Sequence, residues 1–311
     1  MNEKTALIFD LYRGTTHDGP GLRTTVFFKG CPLRCVWCHN PEGISTVPVK
    51  TWDVKLCVGC MNCRDNCPSN AIIIAENGIS FAENCQNCFK CISVCPAEAL
   101  KKSGKKYTVD ELFSKVVRDK NYFEVFGGGV TISGGEPLMQ ADFAADFFRR
   151  LKNGNISTAL DTCGMVNFSE FEKILPYTDI VLYDMKLFDA DEHLKYTGSS
   201  NTLIKENLLK LVERNTRLWI RTPLIPGITA TEKNIRNISR FLMTELDGKF
   251  ERYELCAFNS ACADKYCKLN RTWELANISA MDKNVIENIR NFVLSENIPE
   301  AKIVFSGIIT N

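Results

Sequence analysis

Apolar and polar positions alternate along most of the chain in a way that predicts strands joined by helices. Short apolar runs have the length and β-branched content of buried strands at 24–28, 130–133, 157–161, 179–184, 217–222, 252–258 and 301–305. Between them, apolar residues at helical spacing predict helices at 110–120, 141–152, 168–175, 202–214, 232–246 and 281–296. This alternation predicts an α/β fold with a parallel sheet. We expect an incomplete (β/α)6-type barrel, with a doubly wound sheet as the alternative.

Polar and glycine residues follow the predicted strands at the point where each one ends. In parallel-stranded barrels the carboxyl ends of the strands carry the active site. We therefore expect one site at this rim, built from Gly134, Gly135, Glu136, Asp161, Thr162, Asp184, Met185, Lys186, Arg221 and Asn259.

Charge and hydropathy exclude two broad classes of partner. The 311 residues include 38 Lys and Arg against 37 Asp and Glu, so the net charge is +1. A general nucleic-acid or anionic-membrane binder would carry a basic excess. No run approaches the roughly 20 apolar residues of a membrane span, and the N-terminus is too polar for a signal peptide. We expect a cytoplasmic protein.

Cysteine content narrows the chemistry. The chain has 15 cysteines, of which eleven lie between Cys31 and Cys95. A cytoplasmic chain keeps its thiols reduced, so dense cysteines there indicate metal ligation or catalysis rather than disulfides. Clustering of the cysteines favours metal.

An internal repeat predicts a small inserted domain. The segment from Cys57 to Pro68 recurs 28 residues later, from Cys85 to Pro96. Its cysteine spacing is that of two-cluster ferredoxins, in which the fourth cysteine of each run ligates the other cluster. The predicted [4Fe–4S] ligand sets are Cys57, Cys60, Cys63 and Cys95, and Cys85, Cys88, Cys91 and Cys67; two zinc sites are the alternative. We expect residues 48–104 to form this insert in a barrel made of 1–47 and 105–311.

A separate cysteine triad precedes the insert. Cys31, Cys35 and Cys38 are spaced by three and two residues, without a fourth cysteine in step. A structural zinc site needs four ligands, whereas three thiolates suit a [4Fe–4S] cluster with one open iron. A zinc knuckle or free thiols are the alternatives.

The motifs together resemble one family. They are Asp18-Gly-Pro-Gly-Leu-Arg23, the triad with Trp37 before its last cysteine, Ser133-Gly-Gly-Glu-Pro137, Asp161-Thr-Cys-Gly164 and Asp184-Met-Lys186. This series resembles the glycyl radical enzyme activating enzymes of the radical S-adenosylmethionine (SAM) superfamily. The insert resembles the subgroup that serves dehydratases, decarboxylases and lyases rather than pyruvate formate-lyase.

The resemblance implies a mechanism and a set of site residues. SAM binds the open iron, one electron cleaves it to methionine and a 5′-deoxyadenosyl radical, and that radical takes a hydrogen from a partner glycine. Cys31, Cys35, Cys38 and Lys186 are the implied catalytic residues. The implied SAM contacts are Trp37, Cys38, Gly134, Gly135, Glu136, Asp184, Met185, Lys186 and Asn259, where Asn259 stands in place of a histidine found in relatives.

Partners and further ligands follow from the same resemblance. Asp18 and Arg221 are candidates to hold the partner's glycine loop, with an ordinary salt bridge as the alternative role. In some relatives the residues matching Asp161 and Thr162 also bind a monovalent cation, which makes such a site a hypothesis here. We expect a low-potential flavodoxin or ferredoxin as reductant, and a monomer. A radical SAM enzyme acting on a small molecule or peptide, and a ferredoxin-like electron carrier, are the alternative functions.

Overall fold

A computed structural model describes residues 4–75 and 78–310. Over these residues the strands are β1 (Thr5–Thr15), β2 (Arg23–Phe28), β3 (Val49–Trp52), β4 (Ile72–Ala75), β5 (Gly78–Phe81), β6 (Leu100–Ser103), β7 (Lys105–Thr108), β8 (Gly129–Gly134), β9 (Ser157–Thr162), β10 (Ile180–Asp184), β11 (Leu218–Leu224), β12 (Arg252–Ala257), β13 (Met281–Asp282), β14 (Ile303–Ser306) and β15 (Ile309–Thr310). The α-helices are α1 (Asn62–Asp65), α2 (Lys90–Ser93), α3 (Val109–Val116), α4 (Lys120–Phe126), α5 (Ala141–Asn153), α6 (Phe168–Ile174), α7 (Ala190–Thr197), α8 (Thr202–Glu213), α9 (Glu232–Thr244), α10 (Ala263–Lys268) and α11 (Lys283–Ser295).

Nine strands form the central sheet, in the order β14-β12-β11-β10-β9-β8-β2-β1-β7. From β2 to β14 all neighbours are parallel, and only β1 pairs antiparallel, with β2 on one side and β7 on the other. The parallel strands follow one another in chain order, whereas a doubly wound sheet reverses its order at a switch point. The fold is therefore α/β with a mostly parallel sheet, consistent with a partial barrel, and the doubly wound alternative is wrong.

The longer helices pack against the sheet because they present apolar stripes to it. On α5, Phe143, Phe147 and Phe148 are buried against the strands, while Arg149 and Lys152 stay in solvent. This division is the 3.6-residue periodicity from which the helix was predicted. Among the described residues, no helix has both the length and the apolar composition to cross a bilayer.

The helix predicted at 110–120 is split in the structure. Thr108 and Glu111 form a capping box that starts α3 one residue early, and α3 ends at Val116. A 3₁₀ turn at Val117–Asp119 then leads into α4. Strands β1 and β7, which the sequence did not predict, form the antiparallel edge of the sheet.

Residues 49–103 form a unit with its own small core. Strand β3 pairs with β6, so that Val49 lies opposite Ser103 and the segment begins and ends at one place. Strands β4 and β5 form a second hairpin. The core of the unit contains Trp52, Ile72, Ile79 and Leu100, and it is separate from the core of the sheet.

The sequence repeat is also a repeat of backbone conformation. Two residues of the first copy and one just after it have positive φ angles, and the residues 28 positions later have them too. The pairs are Gly59 and Asn87, Met61 and Phe89, and Asn70 and Glu98. Such angles are uncommon outside glycine, so their recurrence indicates that the two copies fold alike.

Candidate active site

The loop that carries Cys31, Cys35 and Cys38 leaves the carboxyl end of β2 and rests on the end of β8. The backbone N–H of Gly135 donates to the Phe28 carbonyl at 2.8 Å, and that of Glu136 donates to the Gly30 carbonyl at 2.7 Å. All three cysteines are partly exposed. The triad therefore lies at the rim of the sheet, where polar residues were expected to gather.

Two glycines at the end of β8 make this contact possible. A Cβ on Gly135 would meet the Gly30 carbonyl oxygen at 2.2 Å, and a Cβ on Gly134 would meet the Phe28 oxygen at 2.5 Å. Gly134 also has a φ angle of 114°. The sequence suggested that these glycines admit a ligand; the structure adds that Gly134 admits the end of β2 and that Gly135 admits the cysteine loop itself.

The opposite side of the loop is held by residues that sequence reasoning did not assign. The Tyr266 hydroxyl donates to the Cys38 carbonyl at 2.9 Å, and the Trp273 indole donates to the Val36 carbonyl at 2.8 Å. Lys265 forms an ion pair with Glu42 at 2.9 Å. Helix α10 and the segment after it thus hold the loop through its backbone.

Charged side chains meet inside the rim on neighbouring strands. Arg221 lies beside Asp184 in the register of β10 and β11, and beside Glu254 in that of β11 and β12. Its guanidinium is 3.3 Å from an Asp161 oxygen and 3.5 Å from a Glu254 oxygen. The sequence pointed to Asp161, Asp184 and Arg221 but missed Glu254, whose signal is a single acid within an apolar strand.

Burial and neighbouring charges set the protonation of this group. Burial raises the pKa of Asp161 to about 6; the Arg221 charge opposes this and the Asp184 charge adds to it. Burial alone would lower the pKa of Lys186, but the charge of Asp184 raises it above its ordinary value. Lys186, which also hydrogen-bonds Asp184, is therefore a fixed cation beside the cysteine loop.

Three predicted contact residues have their side chains inside the protein. The Glu136 carboxylate accepts hydrogen bonds from the Thr162 hydroxyl and from the backbone N–H groups of Leu138 and Cys163. Trp37 and Met185 belong to the hydrophobic core, at 5% and 1% exposure. These side chains support the rim from below.

Asp18 and Asn259 lie at different levels of the site. Asp18 accepts a hydrogen bond from the Thr25 hydroxyl at 2.7 Å, and its charge is felt by Asp161. Burial and the Lys265 charge lower the pKa of His39, which follows Cys38 in the loop, and the nearby backbone of Asn259 opposes this shift. The structure therefore brings Asn259 to the cysteine loop and Asp18 towards the inner acidic group.

The donor chemistry of the loop fits an iron–sulfur cluster. Burial raises the pKa of Cys35 to about 12 and also raises that of Cys38, whereas a hydrogen bond from the buried Cys163 lowers that of Cys31. Metal binding replaces these thiol protons, and Lys186 offsets the resulting negative charge. Among residues 4–75 and 78–310 no three His, Cys, Asp or Glu side chains form a single-ion site; a cluster spaces its thiolates more widely, with one on each iron.

Four of the eight insert cysteines line one cavity. A cavity of about 340 Å³ is lined by Cys57, Cys60, Cys63 and Cys95 together with apolar residues. Cys95 comes from the second repeat, which is the exchange that the ferredoxin spacing predicts. The other four are Cys67, Cys85, Cys88 and Cys91, and Cys91 is buried in the same small core as Cys63.

Comparison with known families shows which family contains these motifs. Residues 25–238 match the profile of the Radical SAM superfamily. The chain belongs to the radical SAM superfamily. The matched range includes the cysteine triad, Gly134, Gly135, Asp184, Lys186 and Arg221.

The relatives of this radical SAM protein share a common description. It is 37% identical to a (2S)-3-sulfopropanediol dehydratase activating enzyme of Klebsiella oxytoca, over 93% of this chain and 94% of that protein. It is 35% identical to a choline trimethylamine-lyase activating enzyme of Oleidesulfovibrio alaskensis, over 97% and 99%. The resemblance to glycyl radical enzyme activating enzymes is therefore confirmed.

A solved structure agrees with the fold of this radical SAM protein. Streptococcus suis SuiB bound to its precursor peptide SuiA superimposes with a TM-score of 0.52 at 11% identity, covering 89% of this chain and 46% of that one. At this identity the agreement concerns the fold alone.

Proposed function

We propose that this chain activates a partner glycyl radical enzyme of the dehydratase, decarboxylase or lyase kind. The observation that carries the proposal is that the cysteine triad lies at the rim beside the fixed cation Lys186. The chain also aligns with activating enzymes over more than nine-tenths of their length. The activities named for those relatives support this class of partner.

In this proposal Cys31, Cys35 and Cys38 hold a [4Fe–4S] cluster with one open iron. SAM bound there would supply, on one-electron cleavage of its S–C5′ bond with release of methionine, the 5′-deoxyadenosyl group that takes a hydrogen atom from the partner's glycine. The backbone at Gly134 and Gly135 would line the amino-acid end of SAM, and Asp184 and Lys186 would contact the ribose and the carboxylate of SAM. Glu136, Trp37 and Met185 position these groups, and Asn259 closes the site beside His39.

We further propose a monovalent cation at Asp161 beside the SAM carboxylate. Thr162 is its second expected ligand, although this hydroxyl already donates to Glu136 and accepts from Gly164. Arg221 and Asp18 would contact the partner's glycine loop.

We propose that residues 48–104 form a ferredoxin-like domain with two [4Fe–4S] clusters, bringing the total to three. Each would be fully ligated by cysteine and so would carry electrons rather than bind SAM. The cavity lined by Cys57, Cys60, Cys63 and Cys95 supports the exchanged ligand sets. The electrons would come from a low-potential flavodoxin or ferredoxin, and the chain would act as a monomer.

The test is anaerobic reconstitution with iron and sulfide, reduction with dithionite, and assay of 5′-deoxyadenosine from SAM. C38A should abolish the product while the insert retains its iron. C267A is the matched control, because Cys267 is exposed and outside the rim. Intact clusters without 5′-deoxyadenosine in the parent protein would refute the proposal, and a glycyl radical signal on a partner-loop peptide would extend it.

A further inference from the structure

The two ligand sets of the insert share a backbone but differ in the charge that surrounds them. Lys50 on β3 donates from its ammonium nitrogen to the Cys85 sulfur at 3.1 Å and to the Asn87 side-chain oxygen at 2.5 Å. A lysine ammonium is a full positive charge with three donors. Cys85 therefore has a cation in direct contact with its sulfur.

Aromatic rings keep this ammonium in place. It lies 4.7 Å from the centroid of the Phe81 ring and 5.3 Å from that of Phe89. A cation over an aromatic face is attracted by the negative face of the ring quadrupole, and Lys50 is half-buried. The charge is thus held at the sulfur instead of moving freely in solvent.

Within the described part of the chain, the first ligand set has no equivalent cation in its wall. Of the described residues that line the cavity of Cys57, Cys60, Cys63 and Cys95, none is charged in its side chain apart from the cysteines themselves. The residue 28 positions after Lys50 is Gly78, which lines this cavity. Trp52 contributes a neutral indole N–H without a partner in the described structure.

Charges farther from the first set are balanced. Lys55 lies 3.8 Å from Asp264, and Asp53 lies 3.1 Å from Lys268. Each pair joins the segment before Cys57 to α10, and each has zero net charge. The repeat is therefore symmetric in its backbone and asymmetric in its electrostatics.

We propose that Lys50 holds the reduction potential of the cluster on Cys67, Cys85, Cys88 and Cys91 above that of the cluster on Cys57, Cys60, Cys63 and Cys95. The proposal rests on the two insert clusters of the proposed function. Reduction adds one electron to a cluster, and a hydrogen bond or a cation at its sulfur stabilises the added charge. An electron from the external reductant therefore comes to rest on the second cluster, without a coupled proton.

The experiment is a redox titration of the reconstituted full-length protein, followed by electron paramagnetic resonance. SAM identifies the signal of the rim cluster, and C88S identifies that of the second insert cluster. In the parent protein the two insert clusters should be reduced in two separate one-electron steps. In K50Q the second should become about tenfold harder to reduce, which is about 59 mV for one electron.

Three further variants test whether the charge of Lys50 causes the difference in reduction potential. K50R keeps the charge and should keep most of the difference between the clusters. K102Q removes a lysine that lies over the Phe89 ring at 4.6 Å, and it should shift the second cluster less than K50Q does. N87G removes the amide that holds Lys50 while matching Gly59 of the first repeat, and should shift the potential in the same direction as K50Q.

Two results would overturn the proposal while leaving the activating function intact. One is a single shared potential for both insert clusters in the parent protein, which needs no variant. The other is a reduction potential of the second insert cluster that is unchanged in K50Q. If K50Q loses iron, an unchanged potential of that cluster in N87G overturns the proposal instead. A reconstituted protein with iron for the rim cluster alone would instead refute the insert clusters themselves.

Discussion

At the residue scale, the close approach of Gly135 to the cysteine loop can be tested by substitution. In G135A the new methyl group would have to displace the Gly30 carbonyl from 2.2 Å, at a cost of about 1–3 kcal/mol. We expect the variant to lose iron from the rim cluster and to keep the insert clusters, as measured by iron content and SAM-dependent changes in the cluster spectrum.

The control separates steric clash from backbone strain. Gly227 has a φ angle of 72°, and a methyl group added there would have nothing within 4 Å among the described residues. G227A should therefore lose about 1–2 kcal/mol of stability from strain alone and retain all of its iron. Equal iron contents in the two variants would contradict the role given to Gly135.

The cysteine motifs could be recognised in the sequence because their signal is local. The triad and the repeat carry their chemistry in spacings of two and three residues. Tyr266 and Trp273 contact the loop across more than 200 positions of the chain, and no short spacing encodes such a contact. Glu254 was missed for the related reason that its partner Arg221 lies on the neighbouring strand.

At the element scale, α10 and the segment after it fasten the cysteine loop from the side opposite to β8. Y266F removes the hydrogen bond to the Cys38 carbonyl, which is worth about 1 kcal/mol. We expect faster hydrogen exchange in the peptide covering 34–42 and unchanged exchange in β8 and β9. Y253F, which removes a 3.2 Å bond to Thr222 within the sheet, should leave the exchange of the loop unchanged; equal effects would contradict the assignment.

The parallel strands and their helices could be predicted because each carries its own periodicity. Helix α5 was expected at 141–152 and spans Ala141–Asn153. Strand β1 was missed because its apolar positions stop midway, with residues 10–15 all at least partly exposed. Strand β7 was missed because its sequence begins with two lysines, which suit the edge of a sheet.

At the scale of the whole molecule, residues 49–103 form a unit that starts and ends at one place. Replacing them with a two-residue Gly-Ser linker should leave a folded protein with one cluster and with dithionite-driven SAM cleavage. The lost ion pairs to α10 are partly exposed and worth under about 1 kcal/mol each. Iron content, thermal unfolding and 5′-deoxyadenosine measure these outcomes.

A full-length C60A/C88A variant is the control for the deletion. It keeps the backbone of the insert while each ligand set loses one cysteine. We expect both proteins to cleave SAM with dithionite and to fail with a biological reductant. Loss of the rim cluster in the deletion alone would mean that the insert also supports the cysteine loop.

The pairing of Val49 with Ser103 also bears on how fast the chain folds. Strands β2 and β8 must meet across about 100 residues, as in the pairing of Arg23 with Gly129. An insert that folds first joins its own ends and shortens this loop to about half. Halving a loop lowers the entropic cost of closing it by about 0.6 kcal/mol, which is roughly a threefold gain in the rate of collapse. A module with joined ends therefore adds little to the kinetic barrier of its host, so that a barrel can carry an inserted unit of this size in its first crossover without folding more slowly.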